Sequence, residues 1–272
     1  MSVYIAFAIC AVVGYLIGSI SFARIFSWAF GKKDITKVGS HNPGTMNMLR
    51  TRGFGEAILT LVMDAIKSGL PALIAYFVIN HFYAGEGNLA YFITAFFAIV
   101  GHCFPVYYKF KGGKGVASTF GLFTFHPTFW WISLIVFVIC FLLLLFVLKY
   151  GSVVSFTYIL TMSITSTCLL VLNSMPNWIP CVVIIWLNVI LVFALHHGNI
   201  KRLLTGKENK VDLMSKIKGK KGDDNEENSE TSDATNDVKE EEVEVKNETN
   251  EGVEVRKTKE ENVEEDDDRK SN

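Results

Sequence analysis

Cysteine is sparse in this sequence and shows no pairing pattern. Cys10, Cys103, Cys140, Cys168 and Cys181 all fall in or beside apolar segments, and none forms a C-x-x-C spacing. That excludes a disulfide framework and a zinc site, and leaves the cysteines as packing residues. Acidic side chains are scarce up to residue 222, where 6 stand against 19 Lys and Arg. Residues 223–272 reverse the balance, with 21 acids against 7 bases. The overall charge of −1 therefore hides a basic part and an acidic part that are physically different objects. The acidic stretch has no aromatic residue and is rich in Glu, Asp, Asn, Lys, Ser and Thr. It cannot bury enough apolar surface to fold, so the sequence predicts a disordered tail there. The N-terminus lacks a positive segment before its apolar run, and no small-residue cleavage site precedes Arg24. Residues from Val3 to Phe22 are expected to form a retained first helix whose C-terminal end is cytoplasmic.

What the sequence has in abundance is apolar length. Half of the 272 residues are hydrophobic, mean hydropathy is +0.30, and runs near twenty residues recur up to His196. This predicts an all-α, polytopic integral membrane protein. Spans are expected at 3–23, 56–79, 88–108, 115–125, 128–148, 153–172 and 179–197. An unbroken 115–148 helix would be about 51 Å long against a hydrocarbon core near 30 Å, and Pro127 after His126 is a natural break. Charge supports the split. With seven crossings and the N-terminus outside, Arg24, Lys32, Lys33, Lys37, Arg50, Arg52, Lys109, Lys111, Lys114, Lys149, Lys201 and Arg202 all face inward. Segments 80–87 and 173–178, with no Lys or Arg, face outward. Six crossings would turn the tail outward. The 115–125 helix is short for a crossing and needs tilt or bilayer thinning. The expected organisation is a membrane domain at 1–210 and a cytoplasmic tail at 211–272.

Three inward segments combine glycine, cations and amides. In the first, Gly39-Ser40-His41-Asn42-Pro43-Gly44 precedes Thr45–Arg50. Asn42 and Pro43 suggest an N-cap and first position of a short helix that Gly53 would stop. Its start offers N–H groups to an anion beside Ser40, with Asn47 and Arg50 on one face. An interfacial helix touching lipid head groups is the competing reading. In the second, Lys114 sits among Gly112, Gly113 and Gly115, with Ser118 one turn on. Lys114 is followed by Gly115, so this is not a Walker A loop. Positive-inside charge accounts for Lys109 and Lys111. It does not account for the glycines, which imply that the backbone closely approaches something, such as a phosphate. The third segment runs His196-His197-Gly198-Asn199-Ile200-Lys201-Arg202 and closes on Gly206-Lys207-Glu208. His196 and Asn199 share a face, whereas adjacent histidines diverge by about 100° and make a poor metal site. Within the second span, Asp64 and Lys67 lie three apart and read as an ion pair that supports the site.

The stretches GSHNPGTMNMLRTRG, DAIKSG, GHCFPVYYKFKGGKGVAS and HHGNIKRLLTGKE resemble, in order and spacing, those of the bacterial acyl-phosphate-dependent glycerol-3-phosphate acyltransferases, known as PlsY. The likeness covers residues 1–210 and leaves the tail out. His41 stands where the family usually has Gly, Met46 where it has Thr, and His197 and Gly198 where it has Arg and an acid; Ser118 replaces Thr. Ser40, Asn42, Asn47, Arg50, Lys114, His196, Asn199 and Glu208 match. The resemblance implies transfer of an acyl group from acyl phosphate to the 1-hydroxyl of glycerol 3-phosphate, the first step of phospholipid synthesis. Catalysis would fall to Ser40, Lys114 and His196. Phosphate binding would fall to Gly39, Asn42, Asn47, Arg50, Gly112, Gly113, Ser118, Asn199 and Glu208. It implies no cofactor, no metal and no nucleic acid. Its setting would be a bacterial cell membrane with the site on the cytoplasmic side. The partners would be the two substrates, membrane lipids and, as a candidate, the enzyme that forms the acyl phosphate.

An acyl phosphate carries a good leaving group, so positioning and charge stabilisation can supply much of the barrier. Either His196 or the leaving phosphate can take the hydroxyl proton. The absence of an acid partner for His196 favours the phosphate. A covalent Ser40 intermediate lacks a nucleophile elbow. The competing class is a transporter of a phosphorylated compound, with Asp64 and Lys67 lining its path. Against it stand the lack of an internal repeat and polar motifs gathered on one side. No His has Asp five residues on, which leaves the His-x4-Asp acyltransferases unsupported.

Overall fold

In an apolar solvent a backbone can satisfy its N–H and C=O groups only within itself, so charge-free runs of this length fold as helices. The structure, a computed structural model, describes residues 2–31, 34–144, 147, 150–208 and 210. The acidic tail, with Lys32, Lys33 and Lys149, lies outside the described residues. Ten α-helices are described: α1 (Val3–Gly18), α2 (Phe22–Gly31), α3 (Thr45–Thr51), α4 (Phe54–Phe82), α5 (Gly87–Cys103), α6 (Val116–Thr124), α7 (Trp130–Leu143), α8 (Gly151–Leu172), α9 (Trp178–Leu195) and α10 (His197–Leu204). Among the described residues, five stretches are long and apolar enough to cross a membrane: Val3–Gly31, Phe54–Phe82, Gly87–Tyr108, Gly151–Leu172 and Trp178–Leu195.

Three expectations change. The first span, expected as one helix over 3–23, unwinds at Ser19–Ser21 and resumes as α2. The short helix expected at Asn42-Pro43 begins instead at Thr45, with Gly44 extended at the N-cap (φ −150°, ψ 172°). There the Gly44 N–H turns back onto the Asn42 carbonyl at 2.9 Å, which folds Asn42-Pro43-Gly44 into a tight turn instead of a first helical turn. Gly53 does end α3, at φ 104°. Finally, the 115–125 span shrinks to the nine residues of α6, about 14 Å of helix and less than half a hydrocarbon core. α7 adds fourteen residues. The chain just before α6 and the start of α8 come together, because both reach the same side chains, described below.

The core explains why the helices keep this arrangement. α1 lies on α5 through small residues: a Cβ on Gly14 or Gly18 would collide with the backbone of Thr94 or Ala98, and one on Gly101 with the Tyr15 carbonyl. Such stripes let helix backbones approach closely where lipid offers no hydrophobic drive. α5, α6, α8 and α9 enclose Tyr91, Phe92, Phe123, Tyr158 and Ile185. His126 sits at the α6–α7 break, stacked on Phe129 with centroids 4.1 Å apart. Interior hydroxyls pair with each other, Ser133 Oγ lying 2.7 Å from Tyr158 Oη and 2.8 Å from Thr124 Oγ1. Outward-facing positions such as Ile74, Phe77, Ile135, Val138 and Ile190 are exposed and apolar, as lipid contact requires.

Candidate active site

The second and third inward segments converge on one carboxylate. Lys114 Nζ donates to Asn199 Oδ1. Asn199 Nδ2 donates to Glu208 Oε1 at 2.9 Å, and Ser152 Oγ, from the start of α8, donates to the same oxygen at 2.8 Å. Arg202 Nε meets Glu208 Oε2 at 3.1 Å. Asn199 and Arg202 lie three apart on α10, so a single helix face reaches the carboxylate. This carboxylate therefore closes a frame that joins the chain before α6, the start of α8 and α10. Burial pushes the Glu208 carboxyl up, but the hydrogen bonds from Asn199 and Ser152 and the Arg202 charge outweigh it and hold the group below its ordinary value.

Lys114 is held down to about 8, chiefly by burial and then by the nearby charges of Arg202 and Arg50, with Glu208 opposing. The influence of Arg50 brings the first inward segment, through α3, into the same electrostatic neighbourhood. A Cβ on Gly151 would stand 2.8 Å from the Met46 methyl, so α3 also abuts the start of α8. Among the described residues of this frame, Lys114 and Arg202 stand against the Glu208 carboxylate, a balance that favours an anion. His196, at the junction of α9 and α10, is 5 % exposed. Its Nδ1 lies 2.8 Å from the Val192 carbonyl, which fixes Nδ1 as the donor and leaves Nε2 to accept. Burial, with Lys114 adding to it, pulls the imidazole down to about 4, so it is neutral at pH 7.

Other residues read from the sequence take different places. Asn47 is buried and fully occupied: Oδ1 accepts from the Ser40 N–H at 2.9 Å, and Nδ2 donates to the carbonyls of Ile35 and Val38, each at 3.0 Å. It organises the loop before α3, with Gly39 at φ +59° giving that loop room around it. Ser40 is exposed, and among the described residues no hydrogen bond joins it to the Glu208 frame. Ser118 has turned inward at the α6–α4 contact, where its carbonyl takes the Ser68 hydroxyl at 2.7 Å. Gly112 and Gly113 do serve a close approach, but to protein: a Cβ on either would collide with the end of α5 at His102, Cys103 or Pro105. Asp64 and Lys67 form the expected buried pair at 2.7 Å. Among the described residues, no three His, Cys, Asp or Glu gather as metal ligands.

Sequence reasoning missed Ser152, Arg202 and His102 as parts of this architecture. Ser152 gave one signal, a Gly-Ser step opening a helix after a basic residue. Arg202 was visible only as positive-inside charge, and His102 was hidden inside an apolar run.

Comparison with known proteins bears on the family of the chain. A family model described as glycerol-3-phosphate acyltransferase matches residues 8–206. The chain is 35 % identical over 203 residues to a glycerol-3-phosphate acyltransferase of Gluconobacter oxydans, covering 75 % of this chain and 92 % of that one. It is 36 % identical over 216 residues to that of Ralstonia pickettii, covering 79 % and 99 %. Two crystal structures of PlsY, an integral membrane glycerol 3-phosphate acyltransferase, share the fold. The glycerol 3-phosphate form superposes with a TM-score of 0.63 at 28 % identity, over 77 % of this chain and 97 % of that one. The lysophosphatidic acid form does so with a TM-score of 0.62 at 27 % identity, over 78 % and 98 %.

Proposed function

The chain belongs to the glycerol-3-phosphate acyltransferase family, and on that premise we propose that it moves a fatty acyl group from acyl phosphate to the 1-hydroxyl of glycerol 3-phosphate, giving lysophosphatidate and phosphate. The observation that carries this reading is the frame in which Asn199 aims Lys114 while Glu208 gathers Asn199, Ser152 and Arg202, with Arg50 in the electrostatic neighbourhood of Lys114. Two phosphoryl groups brought within reaction distance need several cations to offset their mutual repulsion. Lys114 and Arg50 hold phosphate oxygens, Asn199 aims Lys114, and Ser40 offers a hydroxyl from the loop that Asn47 braces.

The hydroxyl oxygen attacks the acyl carbon, the carbon–oxygen bond to phosphate breaks, and the hydroxyl proton leaves on the departing phosphate. His196 is too weak a base at pH 7 to take that proton efficiently, and it positions the hydroxyl through Nε2. His196→Gln, which retains an acceptor, is expected to keep kcat within about tenfold of wild type, whereas loss of a true general base costs about 10²–10⁴-fold. A loss in the latter range with substrate binding intact would move the proton to His196.

The membrane domain at 1–210 crosses a bacterial cell membrane seven times, N-terminus outside, with α6 and α7 as a short out-and-back pair and residues 211–272 as a cytoplasmic acidic tail. Support comes from Lys- and Arg-bearing loops that alternate along the sequence with turns at 80–87 and 173–178 that have neither. Purified protein supplied with palmitoyl phosphate and glycerol 3-phosphate should release phosphate and form lysophosphatidate. If a folded, lipid-supplied preparation yields product only with an acyl thioester, the donor is wrong. If it yields none with either, a transporter is the better reading, and flux of glycerol 3-phosphate into vesicles is the next assay.

A further inference from the structure

Lys67 is buried in an ion pair with Asp64, Nζ lying 2.7 Å from Oδ1, and its ammonium reaches the Ile20 carbonyl at 2.6 Å and His102 Nδ1 at 3.0 Å. The Ile20 carbonyl sits in the unwound Ser19–Ser21 stretch between α1 and α2. An ammonium can only donate, so Nδ1 of His102 accepts and the ring proton sits on Nε2. The Nε2 edge faces Gly113, where a Cβ would collide with it. The ring cannot swing aside, because its other nitrogen is held by Lys67. The Gly113 N–H in turn donates to the His102 carbonyl at 3.1 Å. Gly112 lies against the carbonyls of His102 and Cys103. One imidazole is thus held between a buried ion pair and the residue immediately before Lys114.

We propose that Asp64, Lys67 and His102 form a positioning device that sets where Lys114 stands, through the contact of the His102 ring with Gly113. The inference rests on the reading of Lys114 as a phosphate ligand. Stability alone does not explain the arrangement, since a buried pair can often be replaced by apolar residues of the same volume without loss. Rigid placement of a cation does explain it, because a small displacement of a positioning group costs far more in reaction than in folding.

The test titrates glycerol 3-phosphate into the full-length protein in lipid nanodiscs, alongside steady-state kinetics and thermal unfolding. His102→Asn keeps an acceptor near the Nδ1 position for Lys67 but removes the edge against Gly113. It is expected to weaken glycerol 3-phosphate binding and raise KM by about tenfold or more, with a smaller change in kcat. The charge-neutral pair Asp64→Asn with Lys67→Met should act in the same direction. In a Lys114→Ala background His102→Asn should add nothing, because the device acts through that lysine. Gly113→Ala probes the same contact from the loop side, and its damage should be relieved when combined with His102→Asn. The inference is overturned if binding and KM are unchanged in folded His102→Asn and Gly113→Ala. An equal penalty with and without Lys114 overturns it too. Wild-type protein that turns over acyl phosphate while these outcomes fail leaves the proposed function standing; wild type that neither binds glycerol 3-phosphate nor makes product fails both.

Discussion

Lys114→Ala is expected to lower kcat/KM for glycerol 3-phosphate by about 10²–10³-fold, the range seen when one preorganised charge-stabilising donor is removed. The size follows from its surroundings. Lys114 is largely buried and aimed by Asn199, so its ammonium acts with little solvent screening. Its pH behaviour makes the prediction sharper. Because Lys114 is held at about 8 in the free protein, it carries its charge below that pH and loses it above. The kcat/KM profile reports the free enzyme, so it should fall on the alkaline side with an apparent value near 8. Lys114→Arg should remove that alkaline limb while retaining part of the activity, since guanidinium stays charged throughout but does not match the ammonium's geometry. A limb that survives in Lys114→Arg would assign the titration to another group.

Glu208→Ala is expected to be nearly as damaging although Glu208 need not touch either substrate. Its two oxygens gather Asn199, Ser152 and Arg202, so the substitution strands three donors at once and frees α10 from α8. Loss of aim at Lys114 should reduce kcat/KM by about 10²-fold. Amide hydrogen exchange along α10 should speed up in parallel. Arg202→Ala removes one tie of three from a partly exposed side chain, and should cost less than about tenfold. If Glu208→Ala leaves α10 protected and activity high, the carboxylate is not the keystone of the frame.

The sequence disclosed the helices well because long apolar runs have one outcome in lipid, and it disclosed the cationic segments because Lys and Arg cluster there between such runs. It was silent where two features compete. Ile17-Gly18-Ser19-Ile20-Ser21-Phe22 looks as apolar as a helix, yet the chain unwinds there, and a lysine 47 residues away takes the freed carbonyl. His102 sits in an apolar run, and only the fold shows it facing Lys67. The glycines around Lys114 announced a close approach without naming its target, which proves to include the end of α5. Asn47 looked like a ligand because amides bind phosphate, but the same three hydrogen-bonding positions suit a folded loop equally well.

The closing role of Glu208 also bears on how the protein is made. The chain leaves the ribosome N-terminus first, so the lysine before α6 is made long before the carboxylate that holds its partner Asn199. Until the turn after α10 arrives, Asn199, Ser152 and Arg202 lack the acceptor that they share in the folded chain. A product that ends before residue 208 is therefore expected to lose activity as Glu208→Ala does, which ties full activity to completion of the turn after α10.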